Sequence, residues 1–519
     1  CYGCFDRTLY LSICSGTGHD GDLDVLSARK HTMSRDSESR RPPLYRQLAG
    51  LYEQAMASGS LQPGMQMPSV RELRQRHGVS LSTALQVLRH LEDSGRVEAR
   101  ARVGYFVRAP AVSALAAARE PELLEPLAPD PGVFAGINER ISVILDKAMR
   151  ALPLRVDLGS AMPAPSLFDA EALNRQAMRL LREQPDVLVL GPSAPATHAE
   201  FQQAMAHHAL TFGLGLVPAD ITATSGNSEA VNLALDAVAQ PGDVVAVESP
   251  TFYGILQAIE IQGLRALEIP SSPQTGMSLE ALELAARNEP RLKAVVVVPH
   301  LQMPLGSIMP DDHKQRLVRL CREYGLALIE DDIYREFLDV PQVPRPAKSW
   351  DLPGAQGCVI YCASLSKSFA PGLRQGWMTA GRWQARVQML KFARSRNMPS
   401  WSQLLAARSV DTPAYDRHPR RMRAQLRIQR DQAAAAIVRY FPPGIRMSLP
   451  PGGLSLWMEL PGGLSGTRLF DLALAQGIRV APGAMFSNTG RYEHFLRLSC
   501  GVPFTLSLIH ISEPTRQEA

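Results

Sequence analysis

The second half of the chain repeats one arrangement, in which a short aliphatic run is followed by a polar loop and then by a helical stretch. Continuous aliphatic runs of this kind are typical of strands that are buried on both faces of a sheet. Strands that alternate with helices form parallel sheets, so the arrangement predicts an α/β domain with a mostly parallel central sheet. Four of the runs lie at residues 244–248, 294–299, 326–330 and 358–363.

Each of the four runs leads into a loop whose side chains can bind or react. The loops begin, in chain order, at Ser249, His300, Asp331 and Ser364. Ligands of open α/β sheets bind outside the carboxyl ends of the parallel strands. The sequence therefore predicts that the four loops meet at one ligand site.

The last loop contains Lys367 close to Ser364 and Ser366, with Arg374 seven residues after the lysine. Lysine condenses with an aldehyde to form a Schiff base, and hydroxyl groups and a guanidinium fork can hold a phosphate. This combination suits pyridoxal phosphate. A lysine in a Ser/Gly/Pro loop is ordinarily a solvated surface charge, so the interpretation depends on the neighbouring loops.

The other loops supply side chains for the rest of such a cofactor. Asp331 can pair with the pyridine nitrogen and keep the ring protonated, and Tyr334 can reach the ring oxygen O3′. Phe252 offers a flat face to the ring, and Asn227 and Ser228 stand at a helix start, where anions are favoured. Singly, each residue is more often a helix cap or a packing residue. Their joint occurrence at four strand ends favours a cofactor site.

A small basic segment precedes the α/β domain. Between residues 41 and 108, ten arginines accompany five acidic residues, so this segment accounts for the whole net charge of +5. A basic module joined to a near-neutral body is typical of a nucleic-acid-binding protein, although a solvated basic face is the alternative.

The basic segment has the pattern of a winged helix-turn-helix. Residues 44–56 have helical spacing, Ser69 and Glu72 can form the capping box of a second helix, and Ser80 can cap a third. Two helices joined by a short turn are a helix-turn-helix, and the alternating residues around Gly104 predict a two-stranded wing with that glycine at or near its turn.

This segment resembles the winged helix of the GntR family of bacterial regulators through PSVREL, GVSLSTALQVLRHLEDSG and GYFV. Leu81 stands where many relatives carry a polar residue, so we expect base readout to be reduced or placed elsewhere. The alternative is a trihelical module used only for packing. The residues that the resemblance implies in DNA binding are Arg71, Ser80, Ser82, Thr83 and Gly104.

Residues 156–503 resemble a fold-type I aminotransferase, and the whole chain is similar to the MocR-type subgroup of GntR regulators. The resemblance implies a mostly parallel central sheet with a small α+β domain, and pyridoxal 5'-phosphate held covalently by Lys367. It also implies that Arg497 binds a substrate carboxylate, although a lone arginine in a strand is often a surface ion pair. The other implied cofactor contacts are Asp331, Tyr334, Phe252, Asn227, Ser228, Ser364, Ser366 and Arg374.

Two positions depart from the pattern of that family. Met303 precedes Pro304 where such enzymes usually have an asparagine that donates to O3′, and a thioether is only a weak acceptor. Leu190 stands where relatives often bring a tyrosine from the partner subunit to the phosphate. Both departures favour weak transamination.

The domain boundaries follow from these patterns. We expect residues 1–32, which precede Met33, and the tail at 506–519 not to be native, and the small domain to lack a final helix. The predicted segments are a leader at 1–42, a winged helix-turn-helix at 43–108, a linker at 109–155, the aminotransferase-like domain at 156–505 and the tail.

The sequence therefore predicts a cytoplasmic, dimeric regulator that binds a double-stranded DNA operator and senses an amino compound through Lys367. The first alternative is a pyridoxal-phosphate-dependent aminotransferase acting on an amino acid, with Lys367, Asp331 and Tyr334 as its catalytic residues. A degenerate scaffold without cofactor is the second. No apolar run approaches the roughly 18 residues of a membrane span, and the seven cysteines lack metal-ligand spacing, so we expect reduced thiols, no membrane and no metal.

Overall fold

The structure is a computed structural model, and it describes residues 43–100, 103–108, 118, 136–189, 197–353 and 356–503. The predicted leader, most of the predicted linker and the tail lie outside the described residues. Leu190 lies outside them as well.

The N-terminal domain has the predicted three helices and ribbon. The capping box is confirmed, because the Ser69 N–H donates to Glu72 Oε2 at 2.7 Å and the Glu72 N–H donates to Ser69 Oγ at 3.3 Å. The apolar stripe of the third helix is fully buried. The elements are α1 (Leu44–Ala57), α2 (Val70–His77), α3 (Leu81–Asp93), β1 (Val97–Arg100) and β2 (Gly104–Val107).

The wing is an antiparallel ribbon that is wider than predicted. β1 and β2 pair from Val97 with Val107 to Arg100 with Gly104, and Gly104 follows the turn with a φ of 123° that suits glycine. Residues 65–67, between α1 and α2, extend the ribbon along β2. The Met67 N–H donates to the Tyr105 carbonyl at 2.7 Å, and the Val107 N–H donates to the Met65 carbonyl at 2.8 Å.

Helix α4 (Ile137–Arg150) lies within the predicted linker but packs into the core of the main domain. Ile141 is fully buried, and Asn138 donates to Glu260 Oε2 from its backbone N–H at 2.8 Å and from Nδ2 at 2.6 Å. An amphipathic helix gains stability by burying its apolar side. In the structure the body therefore begins by residue 137, before the predicted boundary at 156.

The large part of the body is an eight-stranded sheet with helices and a buried core on both faces. Its elements, after the short strand β3 (Val156–Asp157), are α5 (Ala170–Glu183), α6 (Ala199–Leu210), β4 (Thr222–Ser225), α7 (Gly226–Val238), β5 (Val244–Ser249), α8 (Tyr253–Ile261), β6 (Arg265–Ser272), β7 (Gly276–Met277), α9 (Leu279–Asn288), β8 (Leu292–Val297), α10 (Asp311–Glu323), β9 (Ala327–Asp331), β10 (Val359–Ser364), β11 (Gln375–Thr379), α11 (Gln384–Ser395) and α12 (Ser400–Val410).

The strand order in this sheet is β4-β11-β10-β9-β8-β5-β6-β7. The four predicted strands β5, β8, β9 and β10 are neighbours, and each pair between them is parallel. Strand β11 runs antiparallel between β10 and β4. The predicted mostly parallel sheet is confirmed, and its four carboxyl ends point the same way.

The small part of the body is the predicted α+β unit. It contains a four-stranded antiparallel sheet in the order β12-β13-β16-β15 and is reached through a long helix. A further strand pairs in parallel with β3, so the start of the body is held against this unit. The elements are α13 (Pro413–Tyr440), β12 (Arg446–Ser448), β13 (Ser455–Glu459), α14 (Gly466–Ala475), β14 (Ile478–Arg479), β15 (Ala481–Pro482) and β16 (Phe495–Ser499).

Across the described ranges, no helix has both the length and the apolar character needed to cross a membrane. The four cysteines within those ranges are buried free thiols, namely Cys321, Cys358, Cys362 and Cys500.

The packing of α4 predicts a clear difference between two substitutions on that helix. Ile141→Ala removes a side chain that is 0% exposed, so it should lower the free energy of unfolding of the body by about 2–5 kcal/mol. Val143→Ala, at a position that is 51% exposed, should change it by less than about 0.5 kcal/mol. Urea unfolding followed by tryptophan fluorescence measures both. Equal, small effects would place α4 outside the cooperative unit.

Candidate cofactor site

The carboxyl ends of the four parallel strands open into one cavity, as predicted. Side chains from the loops after β5, β8, β9 and β10 line it, together with the first turn of α7. All nine predicted cofactor residues are among them: Asn227, Ser228, Phe252, Asp331, Tyr334, Ser364, Ser366, Lys367 and Arg374.

Lys367 directs its amine into this cavity and is mostly buried. Its Nζ donates to the Ala161 carbonyl at 2.8 Å and contacts Met162 Sδ at 2.9 Å. Burial, reinforced by the guanidinium groups of Arg497 and Arg374, lowers the pKa of Lys367 to about 8. The amine is therefore neutral, and able to attack a carbonyl carbon, at a much lower pH than an ordinary lysine.

Asp331 is the last residue of β9, and its carboxyl group is buried. Burial raises the pKa of Asp331 to about 7, and the neighbouring charge of Asp332 acts in the same direction. The Ile333 N–H donates to its Oδ1 at 3.2 Å. A cation placed against this carboxyl group would favour its charged form. The protonated ring nitrogen of a bound cofactor would be such a cation.

Asp332, the next residue, joins the loop after β8, the turn after β9 and strand β10. Its carboxylate accepts from His300 Nδ1 at 2.6 Å, from Arg335 Nε at 2.5 Å and from the Tyr361 hydroxyl at 2.9 Å. Burial would raise the pKa of Asp332, but Arg335 and His300 outweigh it and hold the pKa below its usual value. The sequence singled out Asp331 but gave no sign that its neighbour had this role.

The same region is the one place in the described ranges where metal-ligand atoms cluster, at His300, Glu330 and Asp332. Lys314 Nζ donates to His300 Nε2 at 3.0 Å, and both nitrogens of that ring are therefore engaged. Asp332 forms ion pairs with His300 and Arg335, and the Glu330 carboxylate accepts the Ala347 and Lys348 N–H groups. Protein groups therefore engage all three members of the cluster.

Two serines near Lys367 have different surroundings. Ser364 donates its hydroxyl proton to the Gln375 carbonyl at 3.1 Å and accepts the Ser366 N–H at 3.1 Å, which fixes the turn between β10 and the lysine. The hydroxyl group of Ser366 is buried, lines the cavity and has no hydrogen-bond partner in the described part of the chain. Ser366 is thus the serine with a free donor.

The first turn of α7 and Arg374 form the other end of the cavity. Gly226 has a φ of +71°, which favours glycine, and a Cβ there would lie 2.8 Å from Arg374 Nη2 and push that guanidinium away. Arg374 itself has a φ of 51°, a conformation that is costly for a residue with a side chain. Asn227 Oδ1 is buried without a partner among the described residues. Free amides at a helix start and a guanidinium favour an anion here.

Arg497 lies on β16 and is buried beside the cavity, among residues that line it. Its Nη2 donates to the Gly159 carbonyl, and its Nη1 lies 3.9 Å from Met303 Sδ. Its Nε has no partner within the described ranges. The surface ion pair considered for Arg497 is therefore wrong, because the side chain is only 1% exposed.

The contacts of Ala161 and Met162 with the Lys367 amine were not predicted from the sequence. Both residues lie in a loop more than 200 residues before the lysine. Gly159 and Pro163 mark that loop as a turn, but no residue type in it points to a lysine.

The predicted DNA-binding residues lie on exposed parts of the winged helix. The hydroxyl group of Ser80 lies 2.8 Å from that of Ser82 and 2.9 Å from that of Thr83, so all three meet at the start of α3. Arg71 is exposed on α2, and Gly104 begins β2. Leu81 is 53% exposed beside the three hydroxyl groups.

Comparison with known proteins assigns both parts of the chain. Residues 169–505 match the family aminotransferase class I and II, and residues 44–107 match the bacterial regulatory proteins of the gntR family. The HTH-type transcriptional regulator YdcR of Escherichia coli (strain K12) is 36% identical over 455 residues, which cover 88% of this chain and 94% of that protein.

Two aminotransferases resemble the body alone. The 2-aminoadipate transaminase of Thermus thermophilus is 32% identical over 353 residues, covering 66% of this chain and 85% of that enzyme. The crystal structure of LysN, an α-aminoadipate aminotransferase from Thermus thermophilus complexed with N-(5'-phosphopyridoxyl)-L-leucine, superposes with a TM-score of 0.64 at 28% identity. It covers 71% of this chain and 92% of LysN.

The cavity fits the cofactor of this family, because it combines a mostly buried lysine amine, a buried carboxyl group and an anion-binding end with the unpaired hydroxyl group of Ser366. The chain belongs to the aminotransferase class I and II family in its fusion with a gntR-type winged helix, the MocR type of regulator, and its cofactor is pyridoxal 5'-phosphate.

Proposed function

We propose that this regulator binds an amino compound at its pyridoxal phosphate and that this event changes how it binds DNA. The observation that carries the proposal is the cavity lined by all nine predicted cofactor residues, in a chain that also has a winged helix. A regulator without a ligand would have no need of a nucleophilic, mostly buried lysine.

The cofactor supplies an aldehyde and an electron-withdrawing ring. Lys367 would hold the aldehyde carbon and Asp331 the ring nitrogen, while Tyr334 would donate to O3′ and Phe252 would contact the ring. Arg374, the Ser366 hydroxyl, Asn227 and Ser228 would hold the phosphate. Ser364 acts through the turn that it fixes.

An amino compound with a carboxylate would meet both parts of the body. Its amine would replace that of Lys367 on the large sheet, and its carboxylate would pair with Arg497 on β16 of the small sheet. The unpaired Nε of Arg497 supports this role. A ligand that bridges the two parts has a higher affinity for the conformation in which they lie closer together. Ligand binding would therefore shift the population toward a closed arrangement.

The winged helices of a homodimer would read the two halves of a double-stranded operator, because the spacing of paired recognition helices sets the spacing of half-sites. Closure of the body would alter that spacing. We place this activity in the cytoplasm, where the DNA is.

Transamination of an amino acid is the second candidate. Lys367, Asp331 and Tyr334 line the same cavity, and Lys367 can carry a proton between the substrate carbon and the cofactor. Met303, which lines the cavity where an asparagine donor is usual, favours slow turnover. Multiple turnovers of keto acid from an amino donor and an acceptor, without any effect on DNA binding, would establish this candidate instead.

Binding to the DNA upstream of its own gene tests the proposal. The parent should change its affinity for that duplex by about 5- to 150-fold when loaded with pyridoxal phosphate and given the right member of a panel of amino compounds. Lys367→Ala should bind the duplex but lose the response to amino compounds. An alanine variant that responds as the parent does would refute sensing through this lysine.

The pKa of Lys367 predicts the pH dependence of cofactor loading. Below about 8 the amine is protonated and cannot attack, so the rate of pyridoxal phosphate incorporation into apoprotein should rise with pH and level off above about 8. Nα-acetyl-lysine in solution, whose side chain has the ordinary pKa of 10.5, should continue to accelerate. Stopped-flow absorbance measures both. A protein rate that rises in parallel with the free amine would contradict the lowered pKa.

Met303→Asn should move the pH-dependent change of the bound cofactor's visible absorption to lower pH by about one unit. The new amide donor would stabilise the ionised O3′ by about 1.5 kcal/mol, and one pH unit corresponds to about 1.4 kcal/mol. Met303→Leu, which adds no donor, should titrate like the parent. If the asparagine and leucine variants titrate together, Met303 has no influence on O3′.

A further inference from the structure

The winged-helix domain contacts the body at Arg427 of α13. Its Nη1 donates to the carbonyl of Asp93, the last residue of α3. The same guanidinium binds Asp339, through Nε at 2.5 Å and also through Nη2. One side chain therefore joins α3, which carries the predicted DNA-contacting residues Ser82 and Thr83, to the aminotransferase body.

The winged-helix side of this contact has the chemistry and the shape that an arginine requires. Carbonyl groups in the last turn of a helix lack intrahelical partners and carry partial negative charge. Gly95 lies two residues after Asp93 with a φ of +69°, and a Cβ there would lie 2.8 Å from Arg427 Nη1. One turn further along α13, Asp431 attracts Arg108, the residue after the wing.

On the body side of the contact, a short stretch of chain connects Asp339 to Tyr334, which lines the cofactor cavity. Asp339 follows Tyr334 by five residues, and the chain between them forms a 3-10 turn at Arg335–Phe337. Arg335 is bound to Asp332 beneath the cavity, and the Glu336 carbonyl accepts from Arg423 Nη1 at 3.0 Å. Residues 335–339 are thus held at one end by the site and at the other by α13.

We propose that Arg427 couples the cofactor site to the winged helix. The inference rests on the proposed function and specifies its route: a change at Tyr334 moves Asp339, Asp339 repositions the Arg427 guanidinium, and that guanidinium sets the position of the end of α3. The rigid guanidinium of Arg427 donates to both the Asp339 carboxylate and the Asp93 carbonyl. A displacement of the guanidinium toward one acceptor therefore changes its position relative to the other.

The same helix supplies a matched control. Residues 417–430 hold six arginines and no acidic residue. Arg423, Arg427 and Arg430 bind groups of the protein, whereas Arg420 is exposed and has no hydrogen bond or ion pair within the described ranges. Arg420→Ala therefore removes the same charge from α13, two turns away, without breaking the contact.

Hydrogen–deuterium exchange of the full-length protein, with and without pyridoxal phosphate, tests the coupling. Exchange at residues 359–374 measures cofactor loading. Exchange at residues 84–97 measures the response of the C-terminal end of α3. In the parent and in Arg420→Ala, loading should slow exchange in both regions. In Arg427→Ala it should slow exchange at 359–374 only, and the difference at 84–97 should be lost.

Asp339→Asn provides a second variant that keeps the size of the side chain and removes its charge. It should also lose the response at 84–97, so the result does not depend on the stability of Arg427→Ala alone. Retention of the response in both variants would overturn the proposal, as would a parent that responds at 359–374 but not at 84–97. Absence of any response at 359–374 in the parent would instead contradict the proposed cofactor role of Lys367, and the coupling with it.

Discussion

The cofactor site depends on the buried carboxylate of Asp332. It accepts hydrogen bonds from the loop after β8, from the turn after β9 and from β10 itself, so the elements that carry Met303, Tyr334 and Lys367 are fixed to one group. A charge network buried this deeply gives little net stability, but loss of one partner costs about 3–5 kcal/mol because the others remain buried and unpaired. The network therefore favours a single arrangement of the loops, which is the condition for a cofactor to be held at several points at once.

Much of this arrangement could be predicted from the sequence, because it follows from local patterns. Aliphatic runs mark β5, β8, β9 and β10, and a parallel sheet brings their carboxyl ends together whatever the loops contain. The capping box at Ser69 and Glu72 is likewise a short-range pattern with one structural meaning. The resemblance to known families then assigned roles to residues whose types alone allow several.

The remaining features arise from contacts between distant parts of the chain, which leave no local pattern. Met162 reaches Lys367 across 205 residues, and α4 shows its place in the body only through the partners of Ile141 and Asn138. The difference between Ser364 and Ser366 depends on a carbonyl group supplied by Gln375 in the next strand. Arg427 is one of six arginines within residues 417–430, and no local pattern distinguishes it from the other five.

The chain thus joins a winged-helix domain to a pyridoxal phosphate site. The proposed function requires a covalent link between Lys367 and pyridoxal phosphate. Borohydride reduction of the loaded protein, followed by proteolysis and mass spectrometry, measures that link directly. The account predicts a single reduced phosphopyridoxyl group on the peptide that contains Lys367, and none in Lys367→Ala. An unmodified protein, or a group mapped to another lysine, would contradict it.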